Sequence, residues 1–366
     1  MPSDLEYMQR ALELALNGQG FAAPNPIVGA VIVKDGQITG EGWHRGYGRP
    51  HAEVEAIMAA RGNTQGAAMY VTLEPCSHYG KTPPCTEAII NAGITKVYAA
   101  IREPGEQASG GAEVLRKAGI AVEFGLCQDE ARRQNRFFLH YACYTKPYVI
   151  AKCAMTMDGY IATLGRDSKW ITNETARQRA HEIRHAVSAI LVGGGTIKQD
   201  NPSLTARFAS NSPDPLRLVL APYADVSPDA NVFTVESDAK GCLVAYSDMA
   251  EARLEPFRNA GIDIIGIPRA PGGSMNLDAL LSKLGEMGIS SLLVEGGSAT
   301  LGSFFHAGLV DECRFFFAPK ILGGQGLPAT SGVAPALIRD AMLFYDTETE
   351  LLDGDVLITA YRHPQK

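Results

Sequence analysis

His51-Ala52-Glu53 precedes Glu74-Pro75-Cys76, and Cys85 follows nine positions after Cys76. One imidazole and two thiolates fill three positions of a tetrahedral zinc site and leave the fourth open to water, as in catalytic rather than structural sites. The metal lowers the pKa of that water towards neutrality. Glu53, two residues from His51 at the start of a predicted helix, is placed to carry a proton from the water to a departing amine without binding the metal. Zinc nucleobase deaminases divide the work in this way. Cys85 opens the next predicted helix, where the positive end of the dipole favours a thiolate. A structural zinc site would need a fourth ligand, and His78 is the nearby candidate. The bland alternative is a hydrogen-bonded core histidine and two core cysteines.

The second half of the chain carries a different set. Gly193-Gly194-Gly195-Thr196 follows one predicted strand, Ala189–Val192, and Glu295-Gly296-Gly297-Ser298 follows another near Ser291. Glycines at strand ends let a phosphate approach the backbone, and a helix N-terminus behind them supplies amide donors; each cluster also reads as a tight turn. No Gly-x-Gly-x-x-Gly opens a helix after a strand, which argues against a Rossmann domain. Arg184 and Arg207 carry guanidinium forks suited to a sugar phosphate, or serve as surface charges.

These residues need elements to hold them. Ser3-x-x-Glu6 is a capping box ahead of Leu5, Met8, Leu12 and Leu16 at helical spacing. Ile27–Val33 is an apolar β-rich run that turns at Lys34-Asp35-Gly36 into a second strand reaching Trp43. A helix over Ala52–Ala60, a strand over Ala68–Leu73, a helix after Cys85 and a strand over Ile94–Ala100 follow, then a further helix and a strand near Val122. Gln128–Tyr144 reads as one polar helix, broken by Lys146-Pro147. The domain boundary is placed there, giving residues 1–146 and 147–366. Beyond it, strands at Tyr148–Ala154, Ala189–Val192, Arg217–Leu220, Cys242–Ala245, Ser291–Glu295 and Arg314–Ala318 alternate with helices, separated by loops such as 209–215 and 270–274. Helices alternating with strands imply layered α/β architecture in both halves.

Composition narrows the classes. The chain has 366 residues, 46 % apolar and 20 % charged, the balance of a globular two-domain protein. No apolar run is long enough to span a membrane, and the start of the sequence lacks a signal-peptide pattern. A cytoplasmic protein is expected. Net charge is −7, which disfavours general nucleic-acid binding because that affinity comes from Lys and Arg on phosphates; a local basic pocket for one phosphorylated small molecule remains open. Seven cysteines, an odd number, do not make a disulfide framework.

The long loop from Glu74 to Cys85 (Glu-Pro-Cys-Ser-His-Tyr-Gly-Lys-Thr-Pro-Pro-Cys) resembles the deaminase half of the bacterial bifunctional riboflavin-biosynthesis enzymes, the diaminohydroxyphosphoribosylaminopyrimidine deaminase / aminophosphoribosylaminouracil reductases. Pro24-Asn25-Pro26-Ile27-Val28-Gly29 matches that family's N-terminal motif. The resemblance implies that Asn25 touches the pyrimidine; alone it reads as a turn residue. Lys152-Cys-Ala154-Met-Thr-Met-Asp158-Gly159, Ser168-Lys-Trp170-Ile-Thr, Arg184, Gly194-Gly195-Thr196, Asp200-Asn-Pro-Ser-Leu204-Thr-Ala-Arg207, Glu295-Gly-Gly297 and Ala318-Pro-Lys320-Ile-Leu-Gly-Gly324 follow the order of its reductase half. The resemblance thus covers nearly the whole chain.

It implies a cytidine-deaminase-like helix–sheet–helix domain followed by a dihydrofolate-reductase-like domain using NADPH. It places Ala154, Trp170, Thr196, Asp200 and the turn Gly297, Ser298, Ala299, Thr300, Leu301, Gly302, Ser303 on the cofactor. Ser168, Arg184, Leu204, Arg207 and Glu295 would hold the substrate. Trp170 reads equally as a core residue, and Asp158-Gly159 as a turn. The chain departs from the family at Glu103-Pro104-Gly105-Glu106, where Asp-Pro-Asn-Pro is usual. It departs again at Ala221-Pro222, where an acidic and a small polar residue are common. The implied partner is a phosphorylated pyrimidine, with no nucleic acid or membrane, in a homo-oligomer (dimer or tetramer). Two rivals stand beside this: a zinc deaminase of nucleic-acid bases, and a zinc nucleobase deaminase whose reductase-like half is a non-catalytic dimerisation or regulatory module.

Overall fold

The Ser3 capping box closes with Glu6 Oε2 accepting from the Ser3 N–H at 2.6 Å, and starts α1 (Asp4–Leu16). A computed structural model describes residues 2–80, 82–105, 110–208, 212–332 and 334–362. Glu106 and residues 209–211 of the 209–215 loop lie outside them. The chain divides into two units, one ending at Thr145 and the other beginning at Lys146.

In the first unit α1 leads to β1 (Gly29–Lys34) and β2 (Gln37–Trp43), antiparallel and joined by the two-residue turn Asp35-Gly36. Both turn residues take left-handed φ, 52° and 73°, as a hairpin whose twist matches its strands requires. Next come α2 (Ala52–Ala59), β3 (Ala68–Leu73), α3 (Cys85–Asn91), β4 (Lys96–Ile101), α4 (Gly111–Lys117) and β5 (Ala121–Phe124). The sheet order is β2-β1-β3-β4-β5, with β3, β4 and β5 parallel. Its core gathers Met8, Leu12, Val31, Met69, Ile89 and Val97. Gly42 lets α2 rest directly on β2: a Cβ there would lie 2.5 Å from the Ala56 nitrogen. That contact sets the height of His51 and Glu53 over the sheet.

The single helix expected over Gln128–Tyr144 is two, α5 (Gln128–Gln134) and α6 (Arg136–Tyr144). Asn135 separates them. Its buried amide accepts from the Ile27 N–H and donates to the Ile27 carbonyl, both at 2.9 Å. Two hydrogen bonds to a segment more than a hundred residues away outweigh local helix propensity.

The second unit comprises β6 (Tyr148–Thr156), β7 (Tyr160–Thr163), α7 (Glu174–Ala186), β8 (Ala189–Gly193), α8 (Gly194–Asp200), β9 (Leu216–Leu220), α9 (Asn231–Thr234), β10 (Gly241–Tyr246), α10 (Glu251–Asn259), β11 (Asp263–Ile267), α11 (Leu277–Glu286), β12 (Ser291–Val294), α12 (Ser298–His306), β13 (Glu312–Ala318), β14 (Gly326–Pro328), β15 (Tyr345–Leu352) and β16 (Asp355–Tyr361). Its nine-stranded sheet runs β11-β10-β9-β8-β12-β6-β13-β16-β15. Strands β11 through β13 are parallel, and β16 and β15 add antiparallel pairs at one edge. Val149, Leu191, Leu218, Val244, Leu292 and Phe304 form its core. The neighbours β8, β12 and β6 bring Gly193–Gly195, Glu295–Ser298 and the Lys152–Ala154 stretch together, on the side where parallel sheets place ligands.

Candidate functional site

The first unit gathers His51, Cys76 and Cys85. His51 caps α2 and Cys85 is the first residue of α3. Their ligand atoms all lie within 4.8 Å of one another. His51 Nδ1 faces both sulfurs, Cys85 Sγ at 3.2 Å and Cys76 Sγ at 3.6 Å. A tetrahedral zinc with bonds of about 2.0–2.3 Å needs donors spaced on this scale, so the donor set fits the ion. His78 lines the adjoining cavity but is not one of the converging ligands, so the fourth position is not filled by it. Hydrogen bonds from Cys85 and His51 pull the Cys76 thiol down to about 4, and hydrogen bonding to Cys76 and burial hold Cys85 high.

Glu53, in the first turn of α2, is buried, and burial raises its carboxyl pKa against the opposing charge of His51. It lines the same cavity of about 320 Å³ as Asn25, His44, His51 and Cys76. His44, which the sequence did not single out, donates from Nδ1 to the Pro50 carbonyl (3.1 Å), leaving Nε2 to accept from the Asn25 amide at 3.3 Å. Nothing local marks it, because Asn25 lies on another loop. Glu74 is structural: its carboxylate accepts from Ala112 N–H (2.9 Å) and Glu103 N–H (3.3 Å). The departing loop does border the pocket through Glu103, whose carboxyl is pushed up to about 7 by burial and by the charges of Glu74 and Cys76.

The second unit holds a cavity of about 1070 Å³. Ala154, Ser168, Trp170, Arg184, Thr196, Asp200, Leu204, Arg207, Glu295 and Gly297–Leu301 all line it. Gly302 and Ser303 do not: α12 turns them away, and a Cβ on Gly302 would meet the Ser331 carbonyl at 1.8 Å. Trp170 is not a core residue. It is 64 % exposed, with the Arg177 guanidinium 4.7 Å from its ring centre. Ser298 Oγ, in the first turn of α12, is buried without a hydrogen-bond partner. An orphaned hydroxyl at a helix N-terminus lining a cavity fits a dinucleotide phosphate.

Glu295 is the electrostatic centre. Lys152 Nζ donates to one carboxylate oxygen at 2.8 Å and Arg184 Nε to the other at 2.7 Å. Burial alone would raise its pKa, but the Arg184 and Lys152 charges hold it down to about 2. Arg184 also donates to the Thr205 carbonyl at 3.2 Å, tying α7 to the loop of Leu204 and Arg207. Lys152, to which the sequence alone assigns no role, shares this anchor. His181, one turn before Arg184, was also missed; burial and the charges of Arg184 and Arg207 lower it to about 4, so it stands neutral at physiological pH. The i, i+3 spacing from Arg184 was the available signal.

Among the described residues no helix is long and apolar enough to cross a membrane. Residues 1–101 match the cytidine and deoxycytidylate deaminase zinc-binding region, and residues 147–357 match the RibD C-terminal domain. The riboflavin biosynthesis protein RibD of Aquifex aeolicus is 40 % identical over 98 % of this chain and 99 % of its own length. Among solved structures, Acinetobacter baumannii RibD superposes with a TM-score of 0.88 at 33 % identity, covering 98 % of both chains. The diaminohydroxyphosphoribosylaminopyrimidine deaminase / 5-amino-6-(5-phosphoribosylamino)uracil reductase of Thermotoga maritima gives 0.86 at 36 %, with the same coverage. A zinc-ligand triad beside a buried glutamate, a reductase cavity in a second unit and full-length similarity together make this chain a member of the RibD family, the bifunctional zinc-dependent deaminases and NADPH-dependent reductases of riboflavin biosynthesis.

Proposed function

We propose that residues 1–146 deaminate 2,5-diamino-6-(5-phosphoribosylamino)pyrimidin-4(3H)-one and that residues 147–366 reduce its ribosyl group to a ribityl chain, giving 5-amino-6-(5-phosphoribitylamino)uracil. In the first step His51, Cys76 and Cys85 hold zinc, which supplies a water of lowered pKa. Glu53 takes a proton from the attacking water and delivers it to the amine at C2, which leaves as ammonia. A buried carboxyl of raised pKa is suited to such two-way transfer. Asn25, steadied by His44, orients the pyrimidine.

In the second step Ala154, Trp170, Thr196, Asp200 and the α12 turn from Gly297 would hold NADPH, which would supply the hydride for C1′ as the C1′–O4′ ring bond opens and O4′ takes up a proton. Ser168, Leu204 and Arg207 hold the substrate. Glu295 fixes Arg184 and Lys152 so that two cations face the phosphorylated sugar. The observation that carries this reading is the convergence of these residues, spread from Ala154 to Leu301 in sequence, on one cavity. The same convergence speaks against an idle second domain. Supplying the pyrimidine with and without NADPH tests it: ammonia release is expected in both cases, and oxidation of the nicotinamide only after deamination. Ammonia release with no nicotinamide oxidation, despite NADPH binding, would favour the non-catalytic module.

We read the enzyme as a homo-oligomer, dimer or tetramer. Ile338 and Leu351, 93 % and 81 % exposed, are apolar side chains that a second copy of the chain would cover. Light scattering of the purified chain decides this. Thiolate ligands and uniformly free cysteines suit a reducing cytoplasm.

A further inference from the structure

The reductase cavity has one arm that the roles above leave unused. It is bordered by Lys198 on α8 and by the segment after β9 containing Ala221, Pro222, Tyr223 and Asp225. Ala221 and Pro222 present no side-chain donor, and the Ala221 N–H is spent on the Val219 and Val244 carbonyls. Six lysines and arginines line the cavity, and of these Lys198 is the one ion-paired into this segment, through Asp225. Both partners are about half exposed, at 52 % and 46 %.

Tyr223 is an exposed aromatic that the fold holds still. Its ring stands edge-on to Tyr246, centroids 5.3 Å apart, and Arg253 donates to its carbonyl at 3.1 Å. Arg269 in turn lies 3.6 Å from the Tyr246 ring centre. A fixed, solvent-facing ring beside a cation suits a purine and the phosphate next to it.

We propose that this arm receives the adenosine end of the dinucleotide, with Tyr223 under the adenine and Lys198 reading the ribose 2′-phosphate in competition with Asp225. The inference rests on the reading that the dinucleotide lies along Thr196, Asp200 and Ser298. An exposed ion pair is weak, so a dianionic phosphate displaces Asp225 from Lys198 at small cost. When the phosphate is missing, Asp225 stays beside Lys198 and its carboxylate accepts a hydrogen bond from the 2′-hydroxyl, as acidic residues do in NAD sites. The chain therefore discriminates between NADPH and NADH through Lys198, and Asp225 keeps that discrimination narrow.

Calorimetric titration of the full chain with 2′,5′-ADP and with 5′-AMP isolates this end of the cofactor. Lys198→Met is expected to weaken 2′,5′-ADP about tenfold and to leave 5′-AMP unchanged, as loss of one charge-assisted contact does. Asp225→Asn should tighten 2′,5′-ADP about two- to fivefold, and Tyr223→Ala should weaken both nucleotides alike. NADPH and NADH affinities, read by nicotinamide fluorescence, should follow the same ratios. If Lys198→Met leaves the ratio of the two nucleotide affinities unmoved while the wild-type chain binds NADPH, the inference is overturned and the cofactor reading stands. A wild-type chain that binds neither dinucleotide overturns both.

Discussion

The zinc-ligand triad draws its donor atoms from three positions between His51 and Cys85 beside a cavity of about 320 Å³. The reductase site collects side chains from Lys152 to Leu327 around about 1070 Å³. In the first, coordination chemistry demands a few residue types at short range, and the chain supplies them on two helix starts and one strand end. In the second, no bond to a metal dictates the geometry. Three parallel strands and three helices must first be assembled, and a buried ion-paired carboxylate then holds the cations. A site made by ligand chemistry is concentrated in sequence; a site made by topology is dispersed.

Breaking the concentrated site should have the larger effect. Cys85→Ser is expected to lose zinc and reduce deamination to background, while reduction of pre-deaminated substrate persists because its residues belong to the other unit. Metal analysis showing full zinc in this variant would break the ligand assignment. Glu53→Gln should keep zinc and lose about 10²–10⁴-fold in deaminase kcat with KM little changed; steady-state kinetics at matched zinc content checks this. Undiminished turnover would mean that another group moves the proton.

The dispersed site should yield more gradually. Glu295 has a native pKa of about 2 against an ordinary value of 4.5. The unfolded chain therefore binds the extra proton first. The stabilisation is fully present above about pH 4.5 and is lost as pH falls towards 2, about 3 kcal/mol in all. Glu295→Gln should lose about 3–5 kcal/mol at neutral pH by leaving two cations unpaired, and its stability should fall less steeply through that acid window than the wild type's. Denaturant titrations between pH 7 and 3 measure both. The smallest effect is expected at Arg207, a single charged contact: Arg207→Ala should raise the reductase KM about ten- to a hundredfold, with NADPH affinity and deamination unchanged. A fall in NADPH affinity instead would move Arg207 to the cofactor, and no change at all would make it a surface charge.

This contrast also explains what could be read from sequence. The capping box at Ser3, the Asp35-Gly36 hairpin and the His-x-Glu and Pro-Cys spacings are local, so residue order exposes them. The break at Asn135 depends on Ile27, the role of His44 on Asn25, and that of Lys152 on Glu295. Each partner is remote, and no window of sequence contains both. Trp170 was ambiguous for a related reason: a large aromatic looks the same in a core and on a cavity wall until its neighbours are known. The motif order of the reductase half carried its family resemblance, but the work of each residue there became visible only in the assembled sheet.

The pairing of Lys152 and Arg184 with Glu295 has one more consequence. Two cations against one carboxylate leave a surplus positive charge inside a chain whose net charge is −7. Because the three groups are largely withdrawn from water, dissolved ions reach them poorly. An acidic protein thereby keeps a sheltered well for a phosphorylated ligand, and its pull on that anion belongs to the fold rather than to the ionic strength of the medium.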